Sequence, residues 1–264
     1  MLTGMTEGDW AAVLKLFRAC RSRRGDKGRN DRKFLEALHY FTVHNVTWRA
    51  LPAEFGNWNS IWKRFWRLSQ AGVFEALFEA LAANSQTAHL VQMFDSTTVR
   101  AHVSAAGARR DGEKGGPRAR PSAARAGASR PRSIKVDLDG LPLAFHLTPG
   151  QASDSRQFEI LLDLGPDIAP RAAVGDKGYD AKANRAAARK RGICPVIPVK
   201  SSAKERPAFF PKALYRARAR IEQLMGKLKR FKRIALRCEK THRNFGSFVA
   251  FALGLIILKS VHTA

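Results

Sequence analysis

The sequence predicts an α/β fold in which a mixed five-stranded sheet with flanking helices follows a helical N-terminal region. Three observations carry this reading. Apolar residues recur at helical spacing through the first 85 residues. From Leu90 onward the pattern changes to short apolar runs and strict alternation, as in strands. Beyond residue 154, short runs alternate with helical stretches, the pattern of parallel strands joined by helices.

The elements follow in order. Thr6 with Asp9 forms a capping-box pattern ahead of an apolar stripe through Phe17. Phe34, Leu35, Leu38 and Phe41 make a second stripe. Ile61, Trp62, Phe65 and Trp66 make a third behind Asn59 or Ser60 as cap, and Val73 to Leu81 a fourth. Pro52, Gly56 and the asparagines of 45–59 interrupt the second and third, so this pair reads as a helix-turn-helix candidate. Its aromatic faces suit either a core or a base-stacking platform.

Leu90 to Asp95 is a strand ending on a carboxylate, and Val99, Ala101 and Val103 alternate after it. Residues 104–133 form a low-complexity loop rich in Gly, Ala, Pro and Ser with eight Arg/Lys residues. Ile134, Val136 and Leu138, then Asp139-Gly140, then Leu141, Leu143, Phe145 and Leu147 read as a hairpin. Asp154 with Gln157 caps a helix through Leu164. Ala172 to Gly175 is a buried strand, 180–191 a helix and Ile193 to Val199 a strand. One helix runs from about Lys212 to Arg233, and a last, nearly all-apolar one from Phe245 to Leu258. Three antiparallel strands followed by alternating helices and parallel strands is the ribonuclease H-like order. The organisation is therefore a helical region over 1–88 and a catalytic-type α/β domain over 89–264.

Composition narrows the partners. Hydrophobic content of 45% excludes wholesale disorder. Lys+Arg number 47 against 22 Asp+Glu, a net charge of +25, so the chain suits a polyanion, and nucleic acid is the commonest. The bland alternative is a soluble basic protein. Cys20, Cys194 and Cys238 are odd in number, widely spaced and without a CxxC pair, which points to reduced thiols in a cytoplasmic protein rather than a zinc site or disulfide framework. The opening MLTGMTEGDW lacks a signal peptide's apolar stretch, and the apolar run near the end is too short for a membrane span.

In so basic a chain, carboxylates at strand ends stand out. Asp95 and Asp176 each follow a predicted strand, where the other reading is a turn or cap residue. Glu222 is the only carboxylate between Glu205 and Glu239. On one continuous helix, Arg218, Glu222 and Lys229 fall within about 60° of Tyr215. Ile221, Leu224, Met225 and Leu228 take the buried face, and Arg216, Arg220, Lys227 and Arg230 a solvent or DNA face. The alternative role for Glu222 is an ion pair with Arg218, worth about 0.2–0.5 kcal/mol. Three such carboxylates suit two Mg²⁺ ions, which prefer hard oxygen ligands and act together in in-line phosphoryl transfer. Residues 182–240 hold 19 Lys/Arg against 3 Asp/Glu, a cationic field around Glu222 suited to a DNA backbone.

Tyr215-x2-Arg218-x3-Glu222-x6-Lys229 matches the Y-(2)-R-(3)-E-(6)-K signature, and the chain resembles the bacterial insertion-sequence DDE transposases. Phe94-Asp-Ser-Thr-Thr-Val-Arg-Ala-His102 is similar to the first-aspartate segment of the IS-five group. Gly150-Gln151-x2-Asp154-Ser155 and Gly175-Asp176-Lys-Gly-Tyr-Asp180 resemble its middle segments, and Trp48-Arg49-x-Leu51-Pro52 with Trp62-x2-Phe65 its helical region. The resemblance implies a ribonuclease H-like core, Mg²⁺ dependence with Mn²⁺ as substitute, cleavage at the element's ends, and strand transfer into target DNA. It implies Asp95, Asp176 and Glu222 as the metal-binding triad. Tyr215, Arg218 and Lys229 then orient the helix or contact DNA, and His102 aligns with a family histidine of open role. The implied partners are the element's double-stranded terminal inverted repeats, target DNA and further copies of the chain in a synaptic complex, at the bacterial nucleoid. Other expectations compatible with the residues are a catalytically silent DNA-binding remnant or repurposed copy, and a nuclease that cuts without joining.

Overall fold

In the computed structural model, which describes residues 5–21, 30–102, 105, 130–148, 154–199 and 209–262, five strands run in one sheet. They are β1 (Val91–Ala101), β2 (Arg130–Asp137), β3 (Pro142–Leu147), β4 (Ala172–Val174) and β5 (Cys194–Val196), in the order β3-β2-β1-β4-β5. β2 and β3 pair antiparallel, whereas β4 runs parallel to β1 and β5 parallel to β4. Parallel neighbours need crossover connections. Helices α5 (Asp154–Asp163) and α6 (Lys182–Lys190) supply them between β3 and β4 and between β4 and β5. This is the ribonuclease H-like arrangement expected from the element order.

The chain divides into two compact units interleaved along the sequence. One comprises 79–98 with 130–227, and the other 1–78 with 99–129 and 228–264. In the sheet unit, Phe94, Ala173, Phe158, Leu161, Tyr179, Ala188, Ile193 and Ile197 form a buried cluster, so α5 and α6 cover the centre of the sheet. The β2–β3 turn is Asp139-Gly140, with Gly140 at φ 84°, a region that favours glycine. Fully buried Asp137 accepts from the amides of Leu141 (2.8 Å) and Asp139 (3.0 Å) and from Ser85 Oγ (2.5 Å), which ties the hairpin to the segment entering β1.

The helical unit contains α1 (Glu7–Ala19), α2 (Asp31–His44) and α3 (Trp58–Gln70). It also holds the start of α4 (Val73–Ala82), the short α9 (Lys232–Ala235) and β6 (Leu236–Arg237), and α10 (His242–His262). The capping box at α1 forms as expected: Thr6 Oγ1 accepts from the Asp9 amide, and Asp9 accepts from the Thr6 amide. Phe17, Phe34, Phe41, Trp48, Phe65, Phe74 and Phe248 pack ring to ring, with centroids as close as 4.3 Å for Phe41–Trp48 and 4.6 Å for Phe65–Phe248. The apolar stretch of α10 is buried in this core. Among the described residues, no helix is long and apolar enough to cross a membrane.

Several elements depart from the sequence reading. β1 does not stop at Asp95 but continues to Ala101, because β6 takes over as its parallel partner at Arg100–Ala101 after β4 has ended at Val174. The last four residues of the expected loop 104–133 belong to β2, and the rest of it, Ala105 apart, lies outside the described residues. The helix expected from 212 to 233 is two helices, α7 (Lys212–Arg216) and α8 (Ala219–Arg230), broken at Ala217-Arg218. Across the break the amides of Ala217, Arg218, Arg220 and Ile221 bond three residues back, a tightened 3₁₀-like turn. Arg220 fixes the new helix start by donating to the Leu138 carbonyl, beside Gly140. Between α2 and α3, residues 45–57 fold as two 3₁₀ turns where a helix-turn-helix has a turn of about 3–4 residues. The cap of α3 is Asn57, whose side chain accepts from the amides of Asn59 and Ser60, so neither of those residues is itself the cap. The proposed cap side chain of Asp154 lies outside the described residues.

Candidate active site

Strand register brings two of the expected acids together. Val91, Gln92 and Met93 of β1 pair with Ala172, Ala173 and Val174 of β4. Asp95 lies two residues beyond Met93 on β1, and Asp176 two residues beyond Val174 where β4 ends, so both stand toward the same end of the paired strands. Asp176 heads the 3₁₀ turn Lys177–Tyr179, and its Oδ1 accepts from the Gly178 amide at 2.8 Å. The turn is held from below. Tyr179 is buried against Phe158, Asn184 of α6 donates to the Tyr179 carbonyl at 2.9 Å, and Arg185 pairs with Asp180 at 2.9 Å.

Asp95 is largely buried, with 16% of its side chain exposed. Its Oδ1 accepts from the Ser96 amide at 2.9 Å and from Arg218 Nη2 at 3.0 Å. Burial pushes its carboxyl above the ordinary value; the Arg218 charge and the Ser96 amide oppose this, and the Asp176 charge adds to it. Glu222 stands in the first turn of α8 and is more open, with 59% of its side chain exposed. Arg218 Nη1 donates to its Oε1 at 3.0 Å. One guanidinium thus stands between Asp95 and Glu222. Burial works against its charge, but Asp95, Tyr215 and Asp176 outweigh this and hold Arg218 above its ordinary pKa.

The alternative reading of Glu222, an ion pair with Arg218, is therefore present together with the approach to Asp95. Among the described residues, no group of three or more His, Cys, Asp or Glu side chains is gathered closely enough to hold a metal ion as it stands. The donor set still suits a hard cation, since all three acids offer carboxylate oxygen and a resident positive charge already sits between two of them.

The remaining expected residues line α7 and α8. Tyr215 is half-buried and its ring lies 5.3 Å from Phe210. Arg216, Lys227, Lys229 and Arg230 are exposed, whereas Arg220 is engaged with the Leu138 carbonyl. Ile221, Leu224, Met225 and Leu228 are buried, as the helical stripe predicts. His102 is half-buried, with its amide donating to the Arg237 carbonyl at 2.8 Å. Sequence reasoning did not single out Asp137 or Lys135. Lys135 is 1% exposed on β2, and burial lowers its pKa to about 8, although the Asp163 charge opposes this. A charged residue inside the apolar alternation of 134–138 is the signal that could have found both.

Comparison with known proteins places the chain in a family. The family model of the transposase DDE domain matches residues 86–257, and a model of IS4/5-family transposases matches residues 5–78. A protein of Brucella ovis named as a transposase for insertion sequence element IS6501 is 38% identical over 125 residues, 47% of this chain and 94% of that protein. A Burkholderia cepacia protein named as a transposase for insertion sequence element IS402 is 31% identical over 140 residues, 50% of this chain and 64% of that one. Among solved structures, Mos1 transposase in a paired-end complex aligns over 80% of this chain and 82% of its own, at 11% identity and a TM-score of 0.25. The assignment rests on the family model, which spans most of the sequence with Asp95, Asp176 and Glu222 inside it: the chain belongs to the DDE transposase family.

Proposed function

We propose that this protein cleaves DNA at the terminal inverted repeats of an insertion sequence and joins the freed ends to target DNA, with Asp95, Asp176 and Glu222 as ligands of two Mg²⁺ ions that Mn²⁺ can replace. The observation that carries the reading is the convergence of Asp95 and Glu222 on Arg218, with Asp176 just beyond the end of the strand that neighbours β1. Such a pair of divalent ions, when bound, activates a water or a 3′-hydroxyl and neutralises charge on the transferred phosphate.

The chain's own residues do the positioning. Asp95 is fixed by its strand and the Ser96 amide, and Asp176 by the Gly178 amide, so both offer oxygens from rigid supports. Glu222 comes from the first turn of a helix and is more exposed than Asp95. The exposed Arg216, Lys227, Lys229 and Arg230 meet DNA phosphates. The helical region contributes a second DNA surface, for which the exposed Lys63, Trp66 and Arg67 of α3 are suited. The protein works as an oligomer in a synaptic complex, at the bacterial nucleoid.

The test is incubation of the full chain with Mg²⁺ and DNA carrying the inverted repeats that flank its gene. Cut ends and joined products are expected. D95A, D176A and E222A should abolish both while DNA binding persists. Cutting without joining in the unaltered protein indicates a nuclease. Binding without cutting under either Mg²⁺ or Mn²⁺ indicates a silent copy.

A further inference from the structure

Arg218 uses its guanidinium in an unusual way. A structural Arg–carboxylate pair commonly presents two nitrogens to one carboxylate. Here Nη2 goes to Asp95 and Nη1 to Glu222, each at 3.0 Å, so one cation is divided between a strand and a helix. Nε is buried without a hydrogen-bond partner among the described residues, so the position is not fully satisfied. Arg218 lies at the break between α7 and α8, where its own amide bonds to the Tyr215 carbonyl. The Asp176 charge acts on both Asp95 and Arg218. Without a positive charge in this place, the Asp176 charge would act on Asp95 unopposed by Arg218, and Glu222 would lose its ion pair.

We propose that Arg218 is an exchangeable counter-ion: it holds Asp95 and Glu222 in the cation-free protein, and a divalent cation binding there must displace it. The idea rests on the reading of Asp95, Asp176 and Glu222 as a cation site. A compact double charge replaces a spread single one, and the two cannot occupy the same oxygens together. The displaced guanidinium becomes free to grip a phosphate, a planar match that Arg makes well. Cation loading and the release of a DNA-gripping side chain are then one event.

The sign of a single measurement decides the matter. Mn²⁺ binding to the full chain without DNA is followed by titration calorimetry and by loss of the free-Mn²⁺ resonance signal. If Arg218 competes, R218Q binds Mn²⁺ at least about fivefold tighter than the unaltered chain, the low end of coupling between linked binding events. R218K, whose ammonium reaches only one carboxylate, falls between the two. If Arg218 is a structural tie, both variants bind equally or more weakly, and the proposal is overturned. If R218Q does not fold, R218K decides alone, since tighter binding than the unaltered chain is required of it. Failure of the underlying reading looks different: neither the unaltered chain nor the variants bind Mn²⁺, or D95N leaves binding unchanged.

Discussion

The Gly178 amide donates to Asp176 Oδ1 at 2.8 Å, and a Cβ placed on Gly178 would lie only 2.9 Å from that same oxygen. The glycine is therefore a steric requirement of the carboxylate's position. Gly178 is exposed, so adding a methyl group removes no packing. Gly178→Ala should push the Asp176 carboxylate aside while changing unfolding stability by less than about 1 kcal/mol. Mn²⁺ affinity of the full chain should fall, together with any DNA cleavage. Unchanged Mn²⁺ affinity in a folded variant would show that Asp176 is not held for a cation.

Lys135 gives a prediction about stability alone. Its ammonium is buried on β2, 3.5 Å from the Leu162 carbonyl, and burial lowers its pKa from 10.5 to about 8. Below pH 8 both folded and unfolded chains hold the proton, and the folded state bears the full cost of burying it. Between about 8 and 10.5 the unfolded chain binds more protons, so stability from this group rises with pH. Lys135→Met keeps the volume and removes the charge. It should stabilise the protein by about 1–3 kcal/mol at pH 7 and by less at pH 10. Urea unfolding at the two pH values measures the difference; an equal gain at both rules out a charge effect.

Much of this architecture was legible because it depends on local pattern. The Asp139-Gly140 turn, the alternation on both its sides and the apolar stripe of α8 are local signals, and each appears in the structure. What could not be read depends on distant partners. β1 runs past Asp95 because β6 arrives from residues 236–237, a pairing that no feature of 91–101 encodes. The break at Ala217-Arg218 is equally non-local, since Arg220 is drawn to the Leu138 carbonyl far back along the chain. At the site, spacing pointed to Asp95, Asp176, Glu222 and Arg218 as the important residues. It could not reveal that Arg218 divides itself between two carboxylates, because that needs the register of a strand and the start of a helix at once.

Asp31 ties three segments of the helical unit. It accepts from Arg18 Nε at 2.9 Å, Arg21 Nη1 at 2.8 Å and Arg64 Nη2 at 2.5 Å, with its own side chain fully buried. Burial favours the protonated acid, but the Arg18 and Arg64 hydrogen bonds and the Arg21 and Arg64 charges outweigh it, so the carboxyl lies below its ordinary 3.8. A lowered acid stabilises the fold above its unfolded value, and this contribution is lost as pH falls through the folded one. Asp31→Asn should cost about 2–4 kcal/mol at pH 7, since it removes a buried charge that the largely buried Arg21 and Arg64 pair with. The gap between variant and unaltered chain should close as pH drops below about 3.8. A gap independent of pH would mean that the charge of Asp31 is not what stabilises the unit.

The basic residues of α7 and α8 look alike in sequence but should divide by experiment. Arg216, Lys227, Lys229 and Arg230 are exposed, and each that meets a phosphate adds about 0.9 to the steepness with which log affinity falls against log salt on duplex DNA. Replacing such a residue with Ala should flatten that slope by about 0.9 and leave unfolding unchanged. Arg220 is different, because its guanidinium donates to the Leu138 carbonyl and its Cβ lies 3.0 Å from where a Cβ on Gly140 would stand. Arg220→Ala should cost about 1 kcal/mol of stability and change the salt slope least of the group. Anisotropy titrations on labelled duplex at several salt concentrations, paired with urea unfolding, separate the two behaviours. A slope insensitive to all of these substitutions would place the DNA elsewhere than along these helices.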